Sequence, residues 1–262
     1  MIKVNGVVVT PTNFPDGTKL IKYRYEDFNT AKIKWYYESD EELFTLYALT
    51  KHLQTFGASC SLYMTYVPNA RMDRIKSYEE VFTLKYFADF INSLNYTEVT
   101  ILDPHSTVAE ALFDRCHAPK PLHHIINTMV KSRPDVIFFP DEGAMKRYCD
   151  VIPERYDKRV FGIKNRDWKT GEIKGLSIHG DVDALKDAKV LIIDDICSKG
   201  GTFYHSAKAL KEAGVASIDL YVTHCEHTIF EGELLKTDLI NRIYTTNSIF
   251  RKEHEKIEVF EV

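Results

Sequence analysis

Apolar runs of strand length alternate with amphipathic stretches along most of the chain, and this alternation constrains the fold more than any other feature. In the first half, a capping box at residues 39–42 predicts a helix that ends at Gly57. A strand at 61–67, a helix at 78–94 and a strand at 99–102 are expected to follow. Strands that alternate with helices form βαβ units, whose strands pair in parallel.

A second series of the same kind begins near residue 130. Its predicted elements are strands at 136–139, 160–163, 190–193 and 217–223, a helix from Gly143 and a helix at 202–213. The sequence therefore predicts an α/β fold with two similar domains, at residues 1–129 and 130–262, each built on a parallel sheet flanked by helices. We expect ligands at the carboxyl ends of the strands. We also expect that the C-terminal tail packs back on the first domain.

The composition narrows the class of protein. Hydrophobic residues make up 44% and charged residues 27% of 262, which is typical of an ordered globular chain. The net charge of −4 gives no electrostatic reason to expect a nucleic-acid partner, so a phosphate-bearing ligand requires a local group of cations. No apolar run approaches the roughly 20 residues that span a bilayer, and the first residues lack the pattern of a signal peptide. The five cysteines are scattered without a CxxC pair, so we expect reduced thiols in a cytoplasmic protein that makes no membrane contact.

The most informative segment follows the predicted strand at 190–193. Two acids, Asp194 and Asp195, come directly after it and can accept hydrogen bonds from the vicinal hydroxyls of a ribose. Glycines let backbone N–H groups approach a phosphate closely, and the start of the next helix adds positive dipole there. The alternative is a plain strand–turn–helix in which Asp195 or Ser198 only caps the helix. The predicted ribose-phosphate ligands are Asp194, Asp195, Ser198, Lys199, Gly200, Gly201 and Thr202.

This segment resembles the phosphoribosyl-diphosphate signature that phosphoribosyltransferases share with ribose-phosphate diphosphokinases. Ser198 and Lys199 stand where the family pattern usually has Asp and Thr. The loop is therefore more positive than the pattern, which favours a more anionic, or differently placed, phosphate group.

Further segments resemble the diphosphokinases in their order along the chain, so the resemblance covers nearly the whole sequence. They read FPDG at 14–17, ARMDR at 70–74, DPHS at 103–106, PDEG at 140–143, KNR at 164–166, VTHC at 222–225 and YTTNSI at 244–249. The last two favour a diphosphokinase over an ordinary phosphoribosyltransferase. The chain is shorter than typical members, and Thr18 replaces the glutamate that usually follows the FxDG loop.

The resemblance implies two phosphoribosyltransferase-like domains with the active site between them. It implies transfer of the β,γ-diphosphoryl group of Mg-ATP to the C1 hydroxyl of ribose 5-phosphate, with release of AMP. Lys164 and Arg166, on a loop after the strand at 160–163, are then expected to neutralise the transferring group. The resemblance assigns ATP to Asp16, Arg71, Asp73, Arg74 and His105, and Mg²⁺ to Asp141 and His105 with Asp103 as a weaker candidate. A homo-oligomer is also implied, because the family completes its ATP site across subunits.

Three alternatives remain open at this stage. The same chemistry on a larger acceptor such as ADP-ribose would suit Lys199, since a second phosphate would find a cation there. A phosphoribosyltransferase of nucleotide or NAD salvage would consume the activated sugar and need no ATP. A non-catalytic homologue would keep the fold without turnover, although Lys164, Arg166 and the acid pair Asp194–Asp195 argue against it.

Overall fold

The structure of the protein is a computed structural model that describes residues 1–24, 29–166 and 173–262. Within these ranges, the side chains of residues 164–166 and 173–175 are excluded from the description. Among the described residues, no helix is long and apolar enough to cross a membrane.

Contacts divide the chain into two compact units, Met1–Lys120 and Pro121–Val262. The division predicted between residues 129 and 130 falls inside a helix of the second unit, Leu122–Ser132. Both units are α/β, with mainly parallel sheets and flanking helices, so the predicted fold class is confirmed.

The first unit is built on one main sheet. Its strand order is β2-β1-β5-β6-β7-β8, in which β5 to β8 pair in parallel and β1 pairs antiparallel with both neighbours. Strands β3 and β4 form a separate antiparallel pair. The strands are β1 Ile2–Val4, β2 Val7–Val9, β3 Thr12–Asn13, β4 Lys19–Leu20, β5 Thr30–Trp35, β6 Ser59–Met64, β7 Glu98–Ile101 and β8 Cys116–His117, and the helices are α1 Glu42–Thr55, α2 Thr83–Ser93 and α3 Thr107–Leu112.

One face of this sheet is apolar and the other is polar. Residues such as Ile33 and Leu62 are buried in a core with the inner residues of α1 and α2. The alternate residues form rows across the strands, and Lys3, Lys34 and Tyr63 pair in one such row. The Lys34 ammonium lies 5.0 Å from the centre of the Tyr63 ring. Alternation of this kind is typical of a sheet that packs on one side only.

In the first unit, two helix starts differ from the sequence prediction. Helix α1 begins at Glu42 without a side-chain cap, so the prediction of a capping box at 39–42 is wrong. The Glu42 carboxylate accepts from the Glu38 backbone N–H at 2.9 Å, from the Trp35 indole N–H at 2.8 Å and from the Met1 ammonium. Helix α2 begins at Thr83 rather than at residue 78, where Tyr78 is fully exposed and buries nothing that would stabilise a helical turn.

The second unit is built on a sheet with the strand order β11-β10-β9-β12-β13-β14-β15. All neighbours pair in parallel except β10 and β11, which form an antiparallel edge. The C-terminal tail supplies the strand at the other edge of this sheet, β15. The helices are α4 Leu122–Ser132, α5 Glu142–Tyr148 and α6 Gly201–Glu212, and the strands are β9 Val136–Phe139, β10 Arg159–Arg166, β11 Ile173–Gly180, β12 Lys189–Cys197, β13 Ser217–Cys225, β14 Arg242–Thr246 and β15 Ile257–Phe260.

The central strands of the second sheet are buried on both faces. Phe138 and Ile192 pack in a core that includes the inner residues of α6. Ile137 and Leu191 point to the opposite side, into a core that includes residues of α4 and α5. Because a slip of one residue would exchange these two sets, packing fixes the register of β9 and β12.

We expect Leu210→Ala to lower the free energy of unfolding by about 2–5 kcal/mol, because it opens a cavity under α6. Leu210 is 0% exposed. Urea unfolding measures the loss, and Lys208→Ala on the exposed side of the same helix is the matched control. Equal effects of the two variants would contradict the packing of α6 described above.

Candidate functional site

Three neighbouring strands of the second sheet, β10, β9 and β12, end at the same edge. Ile137 of β9 pairs with Arg159 of β10 on one side and with Leu191 of β12 on the other, so the three parallel strands are aligned in the sheet. Their carboxyl ends therefore bring together residues that lie far apart in the sequence. Asp141 follows β9, and Asp194 lies in the last part of β12.

The acid pair lies inside β12, which continues to Cys197 rather than ending at residue 193 as predicted. The Asp195 backbone N–H donates to Oδ1 of Asp194 at 2.9 Å. The pKa of Asp194 is raised well above its usual value, first by burial, then by the charge and hydrogen bond of Asp195, and also by the charge of Asp141. The structure thus brings Asp141, Asp194 and Asp195 into one acidic cluster.

Arg147 is a member of this cluster that sequence reasoning missed. Its Nη1 lies 2.8 Å from Oδ2 of Asp195, and the two side chains are only 15% and 5% exposed. Arg147 lies in the last turn of α5, the helix that Asp141 begins. A basic residue near a helix C-terminus usually indicates a dipole contact, so its pairing with β12 had no signal in the sequence.

Asp141 caps α5 as the sequence suggested. Its Oδ1 accepts from the Ala144 backbone N–H at 3.0 Å. Capping uses one carboxylate oxygen and does not prevent contact of the other with a cation. Among the described residues, no three His, Cys, Asp or Glu side chains form a group that could hold a metal ion by themselves. Magnesium fits such a place when substrate phosphates supply further oxygen ligands.

The predicted phosphate loop connects β12 to α6. Gly200 has a φ of +78°, in the left-handed region that glycine tolerates, and precedes the first residue of α6, Gly201. A Cβ on Gly200 would lie 2.8 Å from Leu234 Cδ2 and 3.0 Å from Leu234 Cβ, so a side chain at this position would require Leu234 to shift. Thr202 occupies the first turn of the helix, where backbone N–H groups are available to an anion.

The segment after β13 holds this loop in place. Ser198 Oγ donates to Glu226 Oε2 at 2.6 Å, and Lys199 Nζ lies 3.0 Å from Glu231 Oε2. A Cβ on Gly232 would lie 1.8 Å from the Lys199 carbonyl oxygen, so only glycine permits this approach of the two backbones. The residues that depart from the family pattern, Ser198 and Lys199, are therefore both paired with acids.

Lys164 and Arg166 lie on β10, which extends three residues beyond the predicted strand end at Ile163. The expectation that they occupy a loop is therefore wrong for their backbone, since Lys164 pairs with Leu176 in the antiparallel edge. Their side chains lie outside the described part of the chain. Their assignment to catalysis stays a prediction.

The residues predicted to bind ATP belong to the first unit. Asp16 lies in the exposed turn between β3 and β4, where its Oδ1 accepts from Thr18 Oγ1 at 2.7 Å. This hydrogen bond and that of the Thr18 backbone lower the pKa of Asp16. Thr18, which replaces the family's glutamate, thus completes the turn.

The other predicted ATP and metal residues follow β6 and β7. Arg71 and Arg74 are exposed, and Arg74 Nε lies 3.3 Å from Oδ1 of the largely buried Asp73. Asp103 is fully buried with a φ of +44°, and its backbone N–H donates to the Pro119 carbonyl at 3.3 Å. His105, two residues later, is half-buried. The first unit therefore places its predicted residues on two loops after neighbouring parallel strands.

Residues 125–241 match the family model of the phosphoribosyl transferase domain. Over most of its length the chain is also similar to curated proteins named ribose-phosphate pyrophosphokinase. The relative from Hyphomonas neptunium is 25% identical over 224 residues, which cover 83% of this chain and 70% of the relative. The relative from Methanobrevibacter smithii is 27% identical over 231 residues, which cover 82% of this chain and 77% of the relative.

A solved structure agrees with the fold. The phosphoribosylpyrophosphate synthetase from Mycobacterium smegmatis matches with a TM-score of 0.75 at 17% identity, over 97% of this chain and 86% of that one. At this identity the match supports the fold. The family-model match and the curated relatives confirm the resemblance to the ribose-phosphate diphosphokinase family that the sequence motifs indicated.

We expect Asp194→Asn to raise the free energy of unfolding at about pH 8, because burial and the neighbouring charges raise the pKa of Asp194 in the folded protein. The native state binds a proton at Asp194 between the usual value of 3.8 and the raised pKa, so the parent protein loses stability as the pH rises through that window. Asparagine does not ionise and so removes this penalty. The difference in the free energy of unfolding between the variant and the parent protein should shrink toward about pH 4.

Chemical unfolding of both proteins across this pH range measures the difference. Asp183→Asn, at an exposed position of the same unit, is the control. An Asp194→Asn variant that is no more stable than the parent at about pH 8 would show that folding does not raise the pKa of Asp194.

Proposed function

We propose that this protein is a ribose-phosphate diphosphokinase that transfers the β,γ-diphosphoryl group of Mg-ATP to the C1 hydroxyl of ribose 5-phosphate. The observation that carries the proposal is the juxtaposition of the acid pair Asp194–Asp195 with a glycine-bounded helix start on one side and Asp141 on the other. The names and extent of the relatives support the same reaction class.

The residues of the second unit have distinct proposed roles. Asp194 and Asp195 accept hydrogen bonds from the ribose hydroxyls, which orients C1. The backbone from Ser198 to Thr202 cradles the 5-phosphate through N–H groups at the start of α6. The C1 oxygen attacks the β-phosphorus in line, the bond between the α,β-bridging oxygen and the β-phosphorus breaks, and AMP leaves with that oxygen. The hydroxyl proton passes to solvent.

Charge at the transferring group is neutralised by Lys164 and Arg166, which belong to the strand next to β9. Magnesium would arrive with ATP, and Asp141 is the residue of this unit that would hold it. The magnesium ion, when bound, supplies neutralisation of the phosphate oxygens. In the first unit we assign ATP to Asp16, Arg71, Asp73, Arg74 and His105, and a magnesium contact to His105 and Asp103.

The exposure of Asp16, Arg71 and Arg74 supports a homo-oligomer in which a neighbouring subunit completes the ATP site. Long basic side chains and an acidic turn at the surface are suited to polar contacts with a charged ligand or a second copy. We also propose a cytoplasmic location, consistent with five free cysteines among the described residues.

ADP-ribose is a second candidate for the acceptor, and the position of Lys199 favours it. The Lys199 and Glu231 side chains are 65% and 60% exposed. An exposed ion pair of this kind contributes little, so Lys199 can exchange Glu231 for a second phosphate at small cost. An acceptor with a diphosphate at the 5-position would use this cation.

We expect AMP to form from ATP when ribose 5-phosphate or ADP-ribose is added, without any nucleobase. Parallel assays that quantify AMP with each acceptor measure the preference between them. AMP formation without a base also excludes a phosphoribosyltransferase, which does not consume ATP. Folded protein that forms no AMP with either acceptor would contradict the proposed function and favour a non-catalytic homologue.

Lys164→Ala should lower kcat by about 100-fold or more, because it removes a cation that stabilises the transferring phosphoryl group. ATP binding, measured by calorimetry, should change little. Lys158→Ala, an exposed lysine just before β10, is the control. An unchanged kcat would remove Lys164 from the catalytic role.

A further inference from the structure

We propose that Arg147 is a positioning residue of the ribose-phosphate site, which fixes the carboxylate of Asp195 for its hydrogen bonds to the ribose hydroxyls. The inference rests on the proposed function, because it assigns Asp195 to the sugar. It adds a residue from α5, a helix that no motif connected with sugar binding. Arg147 acts through Asp195 in this account and need not touch the substrate.

The contact between the two side chains is short and shielded. Nη1 of Arg147 lies 2.8 Å from Oδ2 of Asp195, at side-chain exposures of 15% and 5%. A pair with so little exposure is screened weakly by solvent, unlike the surface pair between Lys146 and Glu142 on the same helix. A planar guanidinium also holds a carboxylate in one orientation better than a flexible ammonium does. A carboxylate offers about four lone-pair positions, so the contact with Arg147 does not exhaust Asp195.

The neighbouring acids explain why a cation is needed beside Asp195. The carboxylates of Asp194 and Asp195 lie side by side, with the Asp195 backbone N–H donating to Oδ1 of Asp194 at 2.9 Å, and the charge of Asp141 also acts on Asp194. Without a cation, Asp195 would be expected to turn away from the other two acids. Arg147 supplies that cation before any ligand arrives, so the acid pair is already arranged for the vicinal hydroxyls.

Helix α5 gives the arrangement its rigidity. Asp141 begins the helix and accepts from the Ala144 N–H, while Arg147 lies in its last turn and reaches β12. Tyr148, the next residue, is fully buried in the core between α5 and the central strands. One short helix therefore positions both Asp141, at its start, and Arg147, which pairs with Asp195.

The test compares Arg147→Met with the matched control Lys146→Met, which removes a cation from the exposed face of the same helix. Arg147→Met should raise KM for ribose 5-phosphate by about 10-fold to 100-fold, the loss expected when a binding group shifts by about 1 Å. KM for ATP should change much less. Arg147→Lys should recover part of the loss, because it restores the charge without the fork. Lys146→Met should behave as the parent protein.

Calorimetric binding of ribose 5-phosphate separates this inference from a merely structural role and from the proposed reaction. If Arg147 acts through Asp195, the loss of affinity caused by Arg147→Lys or Arg147→Met should vanish in an Asp195→Asn background. A loss that persists at full size in that background, or one that falls on ATP instead, overturns the inference. Should Arg147→Met fail to fold by circular dichroism, the same cycle with Arg147→Lys decides the question.

A binding measurement that does not require turnover distinguishes failure of the proposed reaction from failure of the positioning role of Arg147. A parent protein that binds ribose 5-phosphate but forms no AMP contradicts the diphosphokinase reaction, while the cycle between Arg147 and Asp195 still supports or overturns the positioning role. A parent protein that does not bind ribose 5-phosphate at all overturns the inference itself.

Discussion

The candidate site depends on the parallel pairing of β12 with β9 on one side and β13 on the other. Leu191 pairs with Ile137, and Cys197 pairs with Cys225, so the three strands reach the same edge of the sheet. The residues that follow them are therefore brought side by side. Since the central strands are buried on both faces, a shift in their register would disrupt both cores at once.

This scaffold allows an unfavourable group of charges to persist. Burial and neighbouring acids raise the pKa of Asp194, which means that the folded protein bears an electrostatic cost at neutral pH. Arg147 places a positive charge beside Asp195 in the same cluster. A cluster that is stabilised by packing elsewhere and destabilised by its own charges is typical of a binding site for hydroxyls or cations.

The phosphate loop illustrates how residues outside a motif determine its shape. Ser198 and Lys199 depart from the family pattern, and both are paired with acids from the segment after β13. The close approach of Gly232 to the Lys199 carbonyl fixes the backbone between them. The conformation of this loop therefore depends on contacts with the segment after β13, chiefly those of Glu226 and Gly232.

Local patterns predicted the elements whose neighbours in sequence are also their neighbours in space. The strand at 136–139 was predicted with its observed bounds, and the helix from 202 begins one residue earlier, at Gly201. The predictions failed where a distant group decides the structure. No side chain caps α1, and the Glu42 carboxylate accepts from Met1 and Trp35 as well as from the Glu38 backbone N–H; Met1 and Trp35 meet it only in the folded sheet.

The same limit applies to the site. The acid pair and the glycines could be predicted because they form one short motif of neighbouring residues in the sequence. Arg147 and Glu226 could not, since each meets its partner through the pairing of strands far apart in the chain. A basic residue after Asp141 on a short helix is a weak signal, and it gains meaning only when β9 and β12 are placed side by side.

The most direct test of the central claim is a crystal structure of the protein with ribose 5-phosphate and a non-hydrolysable ATP analogue. The account predicts the 5-phosphate at the backbone between Ser198 and Thr202, with ribose hydroxyls within hydrogen-bond distance of Asp194 and Asp195. It also predicts that the contact between Arg147 and Asp195 is retained. A sugar phosphate bound elsewhere, with the acid pair unoccupied, would contradict it.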